Sequence, residues 1–301
     1  MNSTKDDCNG VDSDISLNAA TIFTVIATSV CGVSAAVLAT VANSLVLYTI
    51  YSVKSLHKVS NYLIAALSLT DLLVGVISLP LIIVVWMMGI FSQQNNCLLV
   101  FSMKTISHTL AMSSISIITL ISFDRCIAVL SPFRHRVWNL TRQYVFFLVT
   151  LQVFYATILV AWITNALPIG IARITIIAVI SMACCTIAVC YVLIYRTIKA
   201  KKRAIAHITT QNTQQHGSKR SVKTSAIIVL GFIVCCSPRI ASFLIKDKQL
   251  HFHAMQWSGL LVCLNSILNP AIYFLGTQHL RKESSRIMQR MRQKFSKTED
   301  A

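Results

Sequence analysis

Apolar residues recur along the chain in seven long stretches, and shorter polar segments separate them. The stretches are about residues 21–50, 61–87, 98–130, 144–168, 174–195, 224–245 and 254–275. Roughly 20 consecutive apolar residues cross the hydrocarbon core of a bilayer as an α-helix, so each stretch is long enough to span it. Because an open backbone cannot face lipid, the pattern predicts an all-α membrane protein, a seven-transmembrane helix bundle.

Composition agrees with this pattern. The chain has 301 residues, of which 55% are hydrophobic and only 12% are charged, and its mean hydropathy is +0.66. A soluble domain of this length carries about a quarter of its residues as charges. The composition therefore excludes a soluble domain, and we interpret the chain as a membrane protein that is not an enzyme and holds no organic cofactor.

The basic residues orient the bundle. The connections after spans one, three, five and seven contain 21 of the 27 Lys and Arg residues, and cytoplasmic loops collect such charge. We therefore expect an extracellular N-terminus in the plasma membrane. The net charge of +17 is explained by these membrane-proximal loops and their contact with anionic membrane lipids, so nucleic acid is not an expected partner.

The chain divides into three parts. Residues 1–20 are polar and acidic and form an extracellular N-terminus with a glycosylation sequon at Asn2. Residues 21–275 form the seven-transmembrane bundle. Residues 276–301 form a short amphipathic eighth helix and a cytoplasmic tail, because apolar and basic residues alternate along 277–293.

The connections between spans are short on the outer side. They are 88–96, about 168–173 and 246–253, so no extracellular domain is present to bind a large partner. The longest inner connection, 196–223, is basic at both ends and rich in Gln, Thr and His in its middle, where we expect mobility.

Ten cysteines occur, but only Cys8 and Cys97 fall on the outer side, where oxidation is expected. A Cys8–Cys97 disulfide is therefore a hypothesis. The other eight cysteines lie in or against spans, where small apolar packing is their expected role.

Asp71 is a carboxylate inside the second apolar span. Such a group costs several kcal/mol at the bilayer centre and should face partners in the bundle. Polar residues at comparable depth are Asn43, Ser114, Asn265, Ser266 and Asn269. Oxygen ligands around one carboxylate suit sodium, whereas a protonated Asp71 in a hydrogen-bonded cluster is the alternative.

Four short motifs occur in order, each in the span where one large receptor family carries it. They are Asn43, Leu67 to Asp71, Asp124-Arg125-Cys126 and Asn269-Pro270-Ala271-Ile272-Tyr273. Together they resemble the rhodopsin-like (class A) G-protein-coupled receptors over nearly the whole chain.

This resemblance implies roles for individual residues. Arg125 would be held by Asp124 at rest and would engage a heterotrimeric G protein when span six swings outward. Tyr191 and Tyr273, the latter in the Asn269-Pro270 motif, would steady the active form. Ile115 and Phe232 match two members of the core switch. An allosteric sodium pocket would be formed by Asp71, Ser114, Asn265, Ser266 and Asn269.

The sequence also departs from the family pattern. Cys236 stands where the family has the tryptophan of its sixth span, and Ala183 stands at the position of the fifth-span proline. No cysteine lies between spans four and five, and Val100 replaces its usual partner. These features are similar to the melanocortin, cannabinoid and lysophospholipid branch. Cys236 also leaves open a constitutively active or decoy receptor.

The outer halves of spans three and six contain the candidate ligand-binding residues. Ser107 stands where amine receptors carry an aspartate, and Lys104, His108 and Arg239 lie nearby. Since a buried cation needs a partner, we expect an anionic ligand: a small acid, a lipid phosphate or an acidic peptide. Two alternatives stay open. Lys104 and Arg239 could snorkel to the interface, and His108 could be a packing residue.

Other membrane functions are alternatives to a receptor. A transporter or channel should show internal repeats or a continuous polar pathway, and no repeat is evident. A light-driven pump needs a lysine in span seven, which the sequence lacks.

Overall fold

The computed structural model describes residues 17–91, 96–133, 143–144, 146–147, 150–151, 153–155, 157, 169–205, 213–242, 244–276 and 278–299. Eight α-helices have bounds within these ranges. They are α1 (Ala19–Ser52), α2 (Val59–Leu73), α3 (Leu79–Phe91), α4 (Cys97–Leu130), α5 (Ile169–Ile205), α6 (Thr213–Ser242), α7 (Lys248–Gly276) and α8 (Gln278–Glu299). A 3₁₀ turn, Lys54–Leu56, follows α1.

The membrane spans agree with the apolar stretches. Six helices of the described part are long and apolar enough to cross a bilayer, and α2 and α3 form one of them, Val59–Phe91, through the π-helical segment Val74–Ser78. Most of the fourth predicted span, 144–168, lies outside the described residues, although those described within it are helical.

The helices are longer than the apolar stretches, which corrects three predicted connections. The expected outer connection 168–173 is helical from Ile169, and α7 begins at Lys248 rather than after residue 253. The inner connection 196–223 is helical except at 206–212, which lie outside the described residues. Hydropathy marks only the part of a helix in lipid, whereas Lys, Arg and Gln continue a helix well in water.

The third span lies at the centre of the bundle. In α4, 67% of the most apolar 18-residue stretch is buried, compared with 44% or less of the corresponding stretch in each other span of the described residues. It contacts α2, α5 and α6. The main core cluster surrounds its inner half and includes Leu67, Ile118, Ile121 and Tyr273. This central position places one end of α4 at each membrane face.

Two prolines interrupt the backbone hydrogen bonds of α6 and α7, and side chains fill the gaps. Pro270 leaves the Ser266 carbonyl without its usual donor, and Asn43 Nδ2 donates to it at 2.9 Å. Pro238 does the same to the Val234 carbonyl, which accepts from Ser237 Oγ at 3.2 Å. Asn43 on α1 therefore supplies the donor that Pro270 removes.

The predicted amphipathic helix is α8, and it is attached to the inner end of α1. Thr49 and Ser284 hydroxyl oxygens lie 3.0 Å apart, and Ser55 Oγ lies 2.9 Å from His279 Nε2. Leu280 and Ile287 are buried. The helix therefore lies against the bundle with its apolar face.

Gly75 allows α1 to approach the π-helical segment closely. A Cβ at this position would lie 2.8 Å from Thr40 Oγ1 and 3.0 Å from the Ala36 carbonyl oxygen. The second contact is with backbone, which cannot rotate away.

We expect Gly75→Ala to lower the melting temperature of the purified protein, because overpacking costs roughly 1–3 kcal/mol. Gly231→Ala is the matched control, since its Cβ would lie 3.9 Å from the nearest atom, Ile272 Cδ1. The control should be neutral or slightly stabilising, because alanine favours helix over glycine by about 1 kcal/mol. Equal melting temperatures for the two variants would contradict the close contact.

Candidate functional site

Asp124 and Arg125 lie together at the inner end of α4, as predicted. The Asp124 carboxylate is fully buried, and its Oδ2 lies 3.7 Å from Arg125 Nη2. Ser60, near the start of α2, donates to the same oxygen at 3.0 Å, and Tyr144 lies beside the carboxylate. The sequence reasoning missed Ser60. A serine near the start of a helix is usually interpreted as a cap, so the sequence gives no sign that Ser60 bonds to Asp124. Ser60 and Arg125 therefore hold Asp124 between α2 and α4.

Two tyrosines in or against the main core cluster have unused hydroxyl groups. The Tyr191 and Tyr273 hydroxyls are buried and have no hydrogen-bond partner among the described residues. Tyr191 is close enough to Arg125 for the guanidinium charge to act on it. A buried hydroxyl without a partner costs roughly 1–3 kcal/mol, so both groups favour a rearrangement that supplies partners.

The inner ends of α6 and α7 are in close contact. Gly276, the last residue of α7, faces Thr224 of α6, and a Cβ on Gly276 would collide with Thr224 Oγ1 and Cγ2. Only glycine fits here, so the structure is closed at its inner end.

The predicted core switch lies between the two ends of α4. Ile115 is buried, and Phe232 packs against the main core cluster. Cys236 is half-buried, and its thiol is near those of Cys184 and Cys263. Thiols of three helices thus meet where the family pattern has an indole ring.

The central polar residues gather around Asp71, which is fully buried. Asn269 Nδ2 donates to Asp71 Oδ2 at 2.8 Å, and the Ser266 side chain also bonds to the carboxylate. Ser114 is one step removed, because its hydroxyl lies 3.4 Å from Thr70 Oγ1. The structure thus places Asp71, Ser266 and Asn269 in direct contact and Ser114 beside them.

This cluster contains several acceptor oxygens with no donor. The oxygens without a hydrogen-bond partner among the described residues are Asn43 Oδ1, Asp71 Oδ1, Asn265 Oδ1 and Asn269 Oδ1. Each belongs to a side chain that is nearly or fully buried. Acceptors left over around one carboxylate are the arrangement that a hard cation or a water molecule satisfies.

Three basic residues of α4 and α6 lie close together. His108 of α4 is near both Lys104 and Arg239. The His108 side chain is exposed, whereas Lys104 and Arg239 are partly buried. The fourth predicted ligand-binding residue, Ser107, hydrogen-bonds within the bundle, and its hydroxyl oxygen lies 2.7 Å from that of Ser78 in the π-helical segment.

Arg239 is directed at α7. Its Nη1 donates to the Met255 carbonyl oxygen at 2.7 Å and lies 3.5 Å from where a Cβ on Gly259 would be. A Cβ at Gly259 would thus be in ordinary van der Waals contact with the guanidinium. In the described residues Arg239 forms no ion pair with a carboxylate, so its charge is balanced only by a backbone dipole.

Gln256 is a buried polar residue of α7 that the sequence reasoning missed. It is 7% exposed, and its Nε2 has no partner among the described residues. It lies on one stripe of α7 with Phe252, which meets the Trp86 ring edge to face, and with Gly259, which faces Arg239. The signal was present, because a buried amide in an apolar span is as unusual as Asp71.

The remaining predicted residues lie at the outer edge. Cys97, the first residue of α4, is disulfide-bonded, and the eight cysteines within the spans are free. Cys8 and Asn2 lie outside the described residues, so the predicted pairing and glycan stay predictions.

Comparison with known proteins identifies the architecture. A family profile described as "7 transmembrane receptor (rhodopsin family)" matches residues 42–169 and 160–273. The chain belongs to this family. It is 27% identical over 274 residues to sphingosine 1-phosphate receptor 1 of Danio rerio, covering 80% of this chain and 72% of that receptor. It is 27% identical to the isotocin receptor of Catostomus commersonii over 285 residues, 81% and 72% of the two chains.

A shorter match extends over about a third of the chain. The histamine H1 receptor of Homo sapiens is 35% identical over 94 residues, 31% of this chain and 19% of that one. The lysophosphatidic acid receptor 3 of Rattus norvegicus is 32% identical over 90 residues, 28% and 25% of the two chains.

Membership in the family settles the class of protein. The chain is a multi-pass membrane protein and a G-protein-coupled receptor, which transmits an extracellular signal to a G protein and is not an enzyme. The match gives no support to a transporter, a channel or a light-driven pump. The predicted seven-transmembrane helix bundle is confirmed.

We expect Gly276→Ala to raise basal nucleotide exchange on the G protein by roughly fivefold. The added methyl group would crowd α6 and destabilise the closed inner end by about 1 kcal/mol relative to the open one. Exchange is measured in membranes at matched receptor levels. Adding Thr224→Ala removes two of the three crowding atoms and should return exchange toward the wild-type rate. Unchanged basal exchange in Gly276→Ala would show that this contact does not hold the closed state.

Proposed function

We propose that this receptor resides in the plasma membrane with its N-terminus outside and detects an acidic ligand at its outer end. The observation that carries the proposal is the group of basic side chains formed by Lys104, His108 and Arg239. Charges inside a low-dielectric bundle repel one another, and a bound anion removes that cost.

The geometry of Arg239 favours binding over snorkelling. A snorkelling arginine extends toward the aqueous interface, whereas Arg239 extends sideways to the Met255 carbonyl beside Gly259. A carbonyl supplies one acceptor, and an oxyanion supplies several to the same guanidinium. Gln256 supplies a further donor on the same side of α7.

Two relatives are consistent with an acidic ligand. One receptor is named for sphingosine 1-phosphate and another for lysophosphatidic acid, so these two names refer to a phosphate and to an acid. The isotocin and histamine receptors match over comparable or shorter stretches, so the names alone do not select one class. The basic side chains of the outer cluster favour the acidic class.

At the inner end, we propose that Arg125 engages the heterotrimeric G protein after leaving Asp124. The closed contact between Thr224 and Gly276 blocks this face at rest. Opening it would bring the free hydroxyls of Tyr191 and Tyr273 into use, and Asn269-Pro270 supplies the bend of α7. Ile115 and Phe232 would transmit the change between the outer and inner ends.

The disulfide of Cys97 supports the orientation. Disulfides form in oxidising compartments, and Cys97 begins α4 at the end opposite to Asp124 and Arg125. We propose Cys8 as its partner and a glycan at Asn2, which would attach the N-terminal segment to the outer end of the bundle.

We expect Arg239→Gln to abolish the response to an acidic agonist found by screening acidic metabolites, lipids and peptides. The guanidinium provides the charge and two donors that glutamine cannot replace together. Agonist-dependent nucleotide exchange and surface expression are measured in transfected cells. Arg239→Lys, which keeps the charge, should retain part of the potency.

Arg125→Ala is the second variant in this experiment. It should lose exchange with every agonist while binding the ligand normally, because it acts at the inner end. Unchanged agonist potency in Arg239→Gln would remove Arg239 from the ligand site. A receptor whose screen yields only basic or neutral agonists would overturn the acidic ligand.

We further propose that sodium binds beside Asp71 as an allosteric ion. The chemistry fits, since Asp71 Oδ1 and the amide oxygens of Asn43, Asn265 and Asn269 are buried without donors among the described residues, and sodium prefers oxygen ligands. No group of three or more His, Cys, Asp or Glu in the described part of the chain could hold a metal. The ion would therefore be held by one carboxylate and neutral oxygens of Asn265, Ser266, Asn269 and Ser114, and it would neutralise Asp71. A protonated Asp71 is the alternative.

We expect sodium chloride to raise the melting temperature of the purified receptor above its value in choline chloride at equal ionic strength, because a ligand of the folded state stabilises it. Asp71→Asn should remove this difference. Asp247→Asn, which changes an exposed carboxylate at the outer end, should keep it. If the wild-type receptor melts at the same temperature in both salts, the protonated alternative stands.

A further inference from the structure

Cys126 and Cys190 form a thiol pair at the inner end of the bundle. Cys126 is on α4 and is 4% exposed, and Cys190 is on α5 and is 5% exposed. They belong to one contact cluster with Val129 and Ile194, which packs α4 against α5. Both cysteines are free thiols.

Helix periodicity explains why the two thiols meet. Cys126 and Val129 are three residues apart on α4, and Cys190 and Ile194 are four apart on α5, so each pair lies on one helix face. The two faces pack together along an extensive contact of α4 with α5. The two cysteines are thus buried within one contact between α4 and α5.

The pair lies next to residues of the coupling machinery on both helices. Cys126 directly follows Arg125, and Cys190 directly precedes Tyr191. Tyr191 also packs against this cluster, and its hydroxyl has no partner among the described residues. Fixing the distance between the two cysteines would therefore fix the distance between the backbones that carry Arg125 and Tyr191.

We propose that Cys126 and Cys190 are a redox modification site at which a peroxide forms a disulfide that holds the receptor in its resting state. A disulfide restricts the two Cα atoms to roughly 4.4–6.8 Å. This bond would keep α5 against α4 and prevent Tyr191 from moving relative to Arg125. Formation of the Cys126–Cys190 bond requires neither an acidic ligand at the outer end nor sodium beside Asp71.

The chemistry balances with one peroxide molecule. The sulfur of one thiolate attacks a peroxide oxygen, so an S–O bond forms, the O–O bond breaks and one water leaves with the thiol proton. The sulfur of the second cysteine then attacks the sulfenic sulfur, an S–S bond forms and hydroxide leaves as the second water. The two sulfurs lose two electrons in total, and the peroxide gains them.

Burial shapes the kinetics of this site. A buried thiol reacts more slowly than an exposed one, but hydrogen peroxide is small and uncharged. The same burial excludes large charged reductants such as glutathione, so the bond persists once it forms. A small neutral dithiol such as dithiothreitol should reverse it slowly.

The pairing is tested on the intact receptor in membranes. Samples are treated with hydrogen peroxide, blocked with N-ethylmaleimide, digested without reduction and analysed by mass spectrometry. We expect a disulfide-linked peptide pair containing Cys126 and Cys190, which disappears after dithiothreitol. Absence of this pair at every peroxide concentration that leaves the receptor folded would overturn the proposal.

The functional effect is tested by basal nucleotide exchange in the same membranes. Peroxide should lower wild-type exchange about fivefold or more, the lower end of usual allosteric coupling, and dithiothreitol should restore it. Cys126→Ser and Cys190→Ser should each keep their basal exchange rate after peroxide. The control is Cys185→Ser, which removes an exposed thiol from α5, and its basal exchange should fall after peroxide as that of the wild type does.

Two serine variants are used so that poor folding of one leaves the other as a test. If the linked peptide forms but exchange does not change, or if both serine variants still lose exchange, the site does not control the receptor. The peptide measurement needs no signalling, so its result stands apart from the identity of the ligand and of the G protein.

Discussion

Polar groups inside a bilayer must find partners within the protein, and this requirement determines how the bundle is held together. Pro270 and Pro238 each leave a carbonyl without its helical donor, and Asn43 and Ser237 supply new donors. The first of these bonds crosses from α1 to α7, so a bend in one helix becomes a contact between two. The bend of α7 therefore cannot change without affecting α1.

Close approach between helices is the second condition. Gly75 lets the π-helical segment meet α1, and Gly276 accepts Thr224 of α6. These glycines lie at different depths of the bundle. Small residues allow helix backbones to approach in lipid, where no hydrophobic force drives them together. Each of these contacts belongs to the closed bundle, and the last one is at the surface that a G protein would use.

The third span connects the two functional ends because it is the most buried helix of the described bundle. Its outer end carries Lys104 and His108 beside Arg239, and its inner end carries Asp124 and Arg125. Between them lie the polar cluster around Asp71 and the half-buried Cys236 of α6. The thiol pair of Cys126 and Cys190 adds a second route of control, which acts at the inner end alone.

The sequence by itself determined the membrane spans and indicated that Asp71 and Asp124 need partners within the bundle. Long apolar stretches can only be spanning helices, and a charge within them needs a partner, so composition and order are sufficient. Helix ends were misplaced at Ile169 and Lys248, since hydropathy reports lipid contact and not hydrogen bonding. Only the tertiary structure decided that Asn43 bonds the Ser266 carbonyl, that Ser60 donates to Asp124, and that Cys126 and Cys190 share one buried cluster. Such contacts join residues far apart in the chain, and their distances depend on how the helices pack, which no local pattern records.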